Sequence, residues 1–77
     1  MNIKKELVDY MISNLEGFKM EYVEDNLIDL GLIDSLQIVQ LLAFIEDEYH
    51  ITIDVDDIDP DNFSSVDTIV QLIQNYM

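Results

Sequence analysis

Apolar residues recur at three- and four-residue steps in two stretches of the chain. Ile3, Leu7, Val8, Met11 and Leu15 form one such stripe, and Val66, Ile69, Val70, Ile73 and Tyr76 form another. Each predicts an amphipathic helix with one face turned to a core. The first helix is expected over about 2–16, with Gly17 as its C-cap. The last is expected over about 65–76, opened by Ser64 or Ser65, either of which can cap, with Asp67 three residues after Ser64.

Between them, Ile38, Leu41, Leu42, Ile45 and Tyr49 fall on one face at about 100° per residue. They predict a middle helix that starts at Asp34 or Ser35 and runs to Tyr49 or His50, about 35–50. Leu36, Val39 and Ala43 lie on nearly the opposite side, among Gln40, Glu46 and Asp47. A second apolar strip of this kind fits a partner surface rather than the helix's own core. The connection over 17–34 is far longer than the usual two to eight or so residues between helices. Leu27, Ile28, Leu30, Leu32 and Ile33 are placed to pin it to the core, so that Asp34 and Ser35 are held in one place. After the middle helix, "ITIDVDDIDPDNF" predicts a brief alternating stretch and one short helical turn over about 56–62. The expected fold is a single all-α domain over 1–77, a small bundle of three principal helices and one short one.

Composition narrows the function. A chain of 77 residues builds one small core and no cleft between domains. Its 49% apolar content supports folding despite a net charge of -14. That charge repels nucleic acid and anionic lipid and attracts basic protein surfaces, with steering that fades as salt rises. The absence of cysteine excludes disulfides, thiolate metal sites and a cysteine nucleophile, so any thiol must be brought in from outside. The longest unbroken apolar run, "LLAFI" at 41–45, is far short of the roughly 20 residues of a membrane span. A soluble, cytoplasmic, monomeric protein without a bound metal is expected.

Candidate chemistry converges on Asp34 and Ser35. An Asp-Ser pair at the head of a helix is first a capping signal, because its side-chain oxygens satisfy free backbone donors. Its position after a long pinned loop, on a helix with a spare apolar strip bordered by acids, also describes a displayed hydroxyl. Ser35 and His50 are no nucleophile and base, since fifteen residues of helix separate them by about 22 Å. His50 reads as a residue that complements a helix C-terminus. Asp57, Asp59 and Asp61 mimic the opening of an EF-hand loop, but Asn62 stands where glycine is needed and Thr68 where the bidentate glutamate is needed. The segment reads as a solvated acidic loop.

The stretch "LIDLGLIDSLQIVQLLAFIEDEYHITI" resembles the core motif of the acyl carrier protein family, including its aminoacyl and peptidyl carrier relatives. The likeness continues through "NFSSVDTIVQLI" at the last helix. It implies that Ser35 receives a 4'-phosphopantetheine arm from coenzyme A and that acyl or aminoacyl groups are held on the arm as thioesters. It implies a carrier rather than an enzyme. Its partners would be a phosphopantetheinyl transferase, an acyl- or amino-acid-activating ligase, and condensing or acyl-transfer enzymes with basic docking surfaces. A phosphodiester on Ser35 would sit where free N–H groups and the helix dipole favour an anion. Asp34 would stand beside it, where the resemblance implies a divalent cation during transfer, while capping remains the other reading of the same residue. The docking face would comprise Asp34, Leu36, Val39, Gln40, Ala43, Glu46 and Asp47.

Fatty-acid carriers are commonly acidic just after the serine on the exposed side, whereas here Gln37 and Gln40 stand there and the acids are kept at Glu46, Asp47 and Glu48. Ala43 replaces a frequent methionine, and "GLIDSL" is closer to stand-alone carriers of specialised pathways. A polyketide, nonribosomal peptide or aminoacyl-transfer pathway is therefore expected, with general fatty-acid synthesis as the alternative. An alternative from another class is a small acidic interaction module that mimics nucleic-acid charge. Such a mimic needs spread-out carboxylates and no particular serine.

Overall fold

The computed structural model describes residues 2–77. Three α-helices, α1 (Ile3–Asn14), α2 (Ser35–Tyr49) and α3 (Val66–Asn75), are joined by loops with 3-10 turns at Met20–Tyr22 and Val55–Asp57, and no strand forms among the described residues. The all-α expectation holds.

Local chemistry sets each helix end. Asn2 caps α1 by accepting the Lys5 N–H at 3.0 Å. The helix stops at Asn14, earlier than the stripe predicts, and its C-cap is Leu15 rather than Gly17. Gly17 instead turns the chain, with φ 87, and a Cβ there would lie 3.2 Å from Leu32 Cδ2. α3 is opened by Ser65 in a reciprocal box with Thr68, each hydroxyl accepting the other's backbone N–H, at 3.2 and 3.1 Å. Ser64 is not the cap, because its hydroxyl donates to the Asp61 carbonyl.

The stripes meet in a core whose fully covered side chains include Leu7, Met11, Leu41, Ile45, Ile69 and Ile73, closed by Phe63. No polar side chain is buried there among the described residues. Ile38 and Leu42 lie at its edge and are only half-buried. α1 and α2 are joined by the stacked rings of Tyr10 and Phe44, 4.3 Å apart, and by Tyr49, whose hydroxyl donates to Glu6 at 2.7 Å. Burial, then the Glu6 carboxylate, pushes the Tyr49 phenol well above its ordinary range.

Residues 51–63 depart from expectation. Instead of a short helix over 56–62 there is a 3-10 turn, Val55–Asp57, followed by irregular turns. Side chains take the backbone donors a helix would use: Asp54 accepts from the Asp56 N–H and Asp59 from the Asn62 N–H, each at 2.9 Å. Pro60 has no N–H to offer. The alternating stretch before the turn pairs with no strand; its Ile53 N–H donates to Glu46 at 3.0 Å.

Candidate functional site

The loop that delivers Ser35 is built from backbone closures. Asn26 Oδ1 accepts from the N–H groups of both Ile28 and Asp29 at 3.0 Å. The Leu27 N–H donates to the Ser64 carbonyl at 2.6 Å, while the Leu27 carbonyl accepts from Leu32 and Ile33. Leu27 and Ile33 are buried and Ile28 and Leu32 partly so; Leu30, expected to help pin the loop, is 48% exposed. Gly31 takes φ 76 with open space around it, so backbone conformation alone calls for glycine there.

The loop ends at Asp34, whose extended backbone leads into α2 and whose Oδ1 accepts the Gln37 N–H at 2.9 Å. Asp34 is therefore the N-cap. Ser35 is the first helical residue and is exposed. Its hydroxyl has no hydrogen-bond partner among the described residues. The two residues divide the roles that the sequence leaves undivided: the carboxylate completes the helix and the hydroxyl is free. Asp34 and Ser35 line an open cleft of about 370 Å³ together with Ile28, Gly31, Ile33, Ile38 and Pro60. A larger depression of about 590 Å³ lies by Val8, Met20 and Val23, where Lys4 and Lys5 pair with Asp67 and Asp9 at 3.3 and 2.9 Å.

No acid stands in the first turn of α2, and the N-cap carboxylate of Asp34 meets the positive end of the helix. Along the outer face, Leu36 and Val39 are 61% and 62% exposed, and Gln40, Ala43 and Asp47 are exposed with them. Glu46 has a second contact that the sequence does not announce. It sits at the strip's margin, half-buried, and its carboxylate holds the Ile53 N–H. His50 lies at the far end of α2 in the left-handed conformation, φ 54 and ψ 44, ending the helix. Two of the three carboxylates that suggested a calcium loop are engaged in hydrogen bonds, Asp57 with the Tyr76 hydroxyl and Asp59 with the Asn62 N–H. Among the described residues, no group of three or more potential ligands is placed to hold a metal ion.

A family model for the phosphopantetheine attachment site matches residues 11–73, and the chain belongs to that family. No curated protein matches it. The chain is thus a phosphopantetheine carrier domain, and its prosthetic group is covalently attached 4'-phosphopantetheine. The match favours the carrier over the charge mimic. Carrier domains are generally non-catalytic and work with a phosphopantetheinyl transferase and biosynthetic enzymes. The geometry at α2 fits such a group: an exposed hydroxyl with no partner among the described residues, helix N–H groups beside it for a phosphate, and an apolar cleft at hand. When bound, the group supplies the thiol that this cysteine-free chain lacks. No described helix is long and apolar enough to cross a membrane.

Proposed function

We propose that Ser35 is the attachment residue and that the chain carries acyl or aminoacyl cargo in a specialised pathway. The observation that carries this reading is the exposed Ser35 hydroxyl, left free at the head of α2 because Asp34 makes the cap. The Asp34 carboxylate keeps one oxygen in reserve, and beside a phosphodiester it favours a divalent cation between the two anions. Leu36, Val39, Gln40, Ala43 and Asp47 form the docking face, an apolar contact with acid at its edge. Glu46 contributes by shaping the segment after α2. Two glutamines in the first turns, where fatty-acid carriers are commonly acidic, support an amino-acid, polyketide or peptide pathway over general fatty-acid synthesis. Partners in this reading are an activating ligase and condensing or transfer enzymes with basic surfaces, in the cytoplasm.

The test is intact-mass measurement after incubation with coenzyme A and a broad-specificity phosphopantetheinyl transferase. One added group is expected on the wild type and none on Ser35→Ala. A mass gain that persists in Ser35→Ala sinks the assignment.

A further inference from the structure

One wall of the Ser35 cleft comes from a distant part of the chain, Pro60, in the acidic segment after α2. Within that segment Ile58 alone among the apolar side chains packs on the core, between the buried Ile53 and Phe63, while Val55 is 77% exposed and Asp54, Asp56, Pro60 and Asp61 are exposed as well. Side-chain bonds add to that packing. Tyr76, just past the end of α3, donates its hydroxyl to the Asp57 carboxylate and accepts the Asp54 N–H at 2.9 Å. From Asp57 the tie continues, because its carbonyl accepts from Asn62 Nδ2 at 2.8 Å, and the Asn62 N–H closes on Asp59. Pro60 lies inside that closure, and its carbonyl accepts from the N–H of Phe63, a fully buried residue.

We propose that Tyr76 is a positioning residue for the Ser35 cleft: its clasp on Asp57 and Asp54 fixes the 54–62 segment and so the wall that Pro60 presents beside Ser35. This rests on Ser35 being the attachment residue. Tyr76 touches none of the reacting atoms; it sets the shape that a modifying enzyme meets around the hydroxyl. The Asp57 hydrogen bond also raises the Tyr76 phenol above its ordinary pKa, against an opposing effect of the Asp54 N–H.

The experiment compares the full chain with Tyr76→Phe, Asp57→Ala, Asp57→Asn and Pro60→Ala, each shown folded by circular dichroism. Backbone amide resonances are recorded, and KM and kcat for Ser35 modification are measured with coenzyme A and the transferase. Tyr76→Phe and Asp57→Ala should both move the Gly31, Ile33 and Ser35 amide resonances. They should raise KM about threefold or more, as loss of one hydrogen bond allows, with kcat within about twofold. Asp57→Asn keeps an oxygen acceptor and should stay near the wild type. The Tyr76→Phe, Asp57→Ala double variant should be no worse than Tyr76→Phe alone, since losing the hydroxyl already removes the Asp57 bond together with the Asp54 one. Pro60→Ala leaves the clasp intact and should raise KM by itself, which keeps the test decisive if a clasp variant unfolds.

Resonance changes confined to residues 54–57 and the end of α3 overturn the proposal, as does an unchanged KM in Pro60→Ala. A fall in activity that only follows the folded fraction overturns it too, by reducing Tyr76 to a stabilising role. If the wild type itself is not modified, the Ser35 assignment fails, and the resonances at Gly31 and Ile33 still decide whether the clasp shapes the cleft.

Discussion

Replacing Asp34 and Ser35 in turn separates helix completion from attachment. Asp34→Ala removes the oxygen that accepts the Gln37 N–H, a loss of about 1 kcal/mol within a usual span of roughly 0.5 to 2. With 77 residues and an unfolding entropy of about 2.1 cal/mol/K per residue, the total entropy is about 160 cal/mol/K. A loss of about 1 kcal/mol then lowers Tm by about 6 °C. Ser35→Ala removes an exposed hydroxyl with no partner among the described residues, and its stability should stay within about 0.5 kcal/mol of the wild type. Asp34→Asn keeps a capping oxygen and should melt within a few tenths of a kcal/mol of the wild type, yet it lacks the charge proposed to hold a divalent cation. Thermal melts by circular dichroism, run beside mass spectrometry of modification across a magnesium titration, read all three. Ser35→Ala should melt normally and stay unmodified, Asp34→Ala should melt early, and Asp34→Asn should melt normally but be modified slowly. A Tm drop in Ser35→Ala as large as that in Asp34→Ala would refute the division of roles. Wild-type modification of Asp34→Asn at every magnesium concentration would leave Asp34 as a cap alone.

Leu41→Ala, at a fully covered position, should lose about 2 to 5 kcal/mol in urea denaturation, and Leu42→Ala, at the core's edge, clearly less. Equal losses would contradict the core described. Tyr49 has its phenol raised above the unfolded-state value, so its stabilising contribution is complete below pH 10 or so and is lost as pH rises toward the folded-state value. Stability measured from about pH 9 upward should therefore fall, and more steeply than in Tyr49→Phe; identical slopes would exclude Tyr49 as the cause. Val39→Asp should weaken partner complexes by placing a charge in a desolvated contact, while Asp47→Lys should slow association and flatten its salt dependence. Transfer kinetics at two salt concentrations separate the two, and unchanged rates in both variants would move the docking face off α2. Because the chain carries a net charge of -14, added sodium chloride should raise Tm by screening self-repulsion, and a flat salt titration would contradict this.

The three helices are legible in the sequence because a period of about 3.6 residues is a local property of the chain. Depth is not. Leu41 and Leu42 are adjacent members of one stripe, yet only the first is fully covered, because coverage depends on what packs against each. Two ambiguities among capping residues are chemical: Asp34 and Ser35, like Ser64 and Ser65, belong to types that cap equally well. The Asp34 contact to Gln37 and the Ser64 bond to the Asp61 carbonyl decide them. Glu46 reads as a surface acid, but the left-handed turn at His50 returns the chain so that Ile53 presents its N–H to it. The Tyr76 clasp leaves no signal at all. Its partner is 19 residues away, and its own position only extends the apolar stripe of the last helix.

The bond from the Leu27 N–H to the Ser64 carbonyl has a consequence for when the protein becomes competent during synthesis. The loop ahead of Ser35 is fastened to the threshold of α3, so α1 and α2 alone lack the strut that sets the serine in place. Small domains form their long-range contacts together rather than piecewise. A growing chain that has exposed Ser35 but still holds α3 inside the ribosome lacks that strut, and on the proposed assignment of Ser35 it is expected to accept the prosthetic group more slowly than the finished domain.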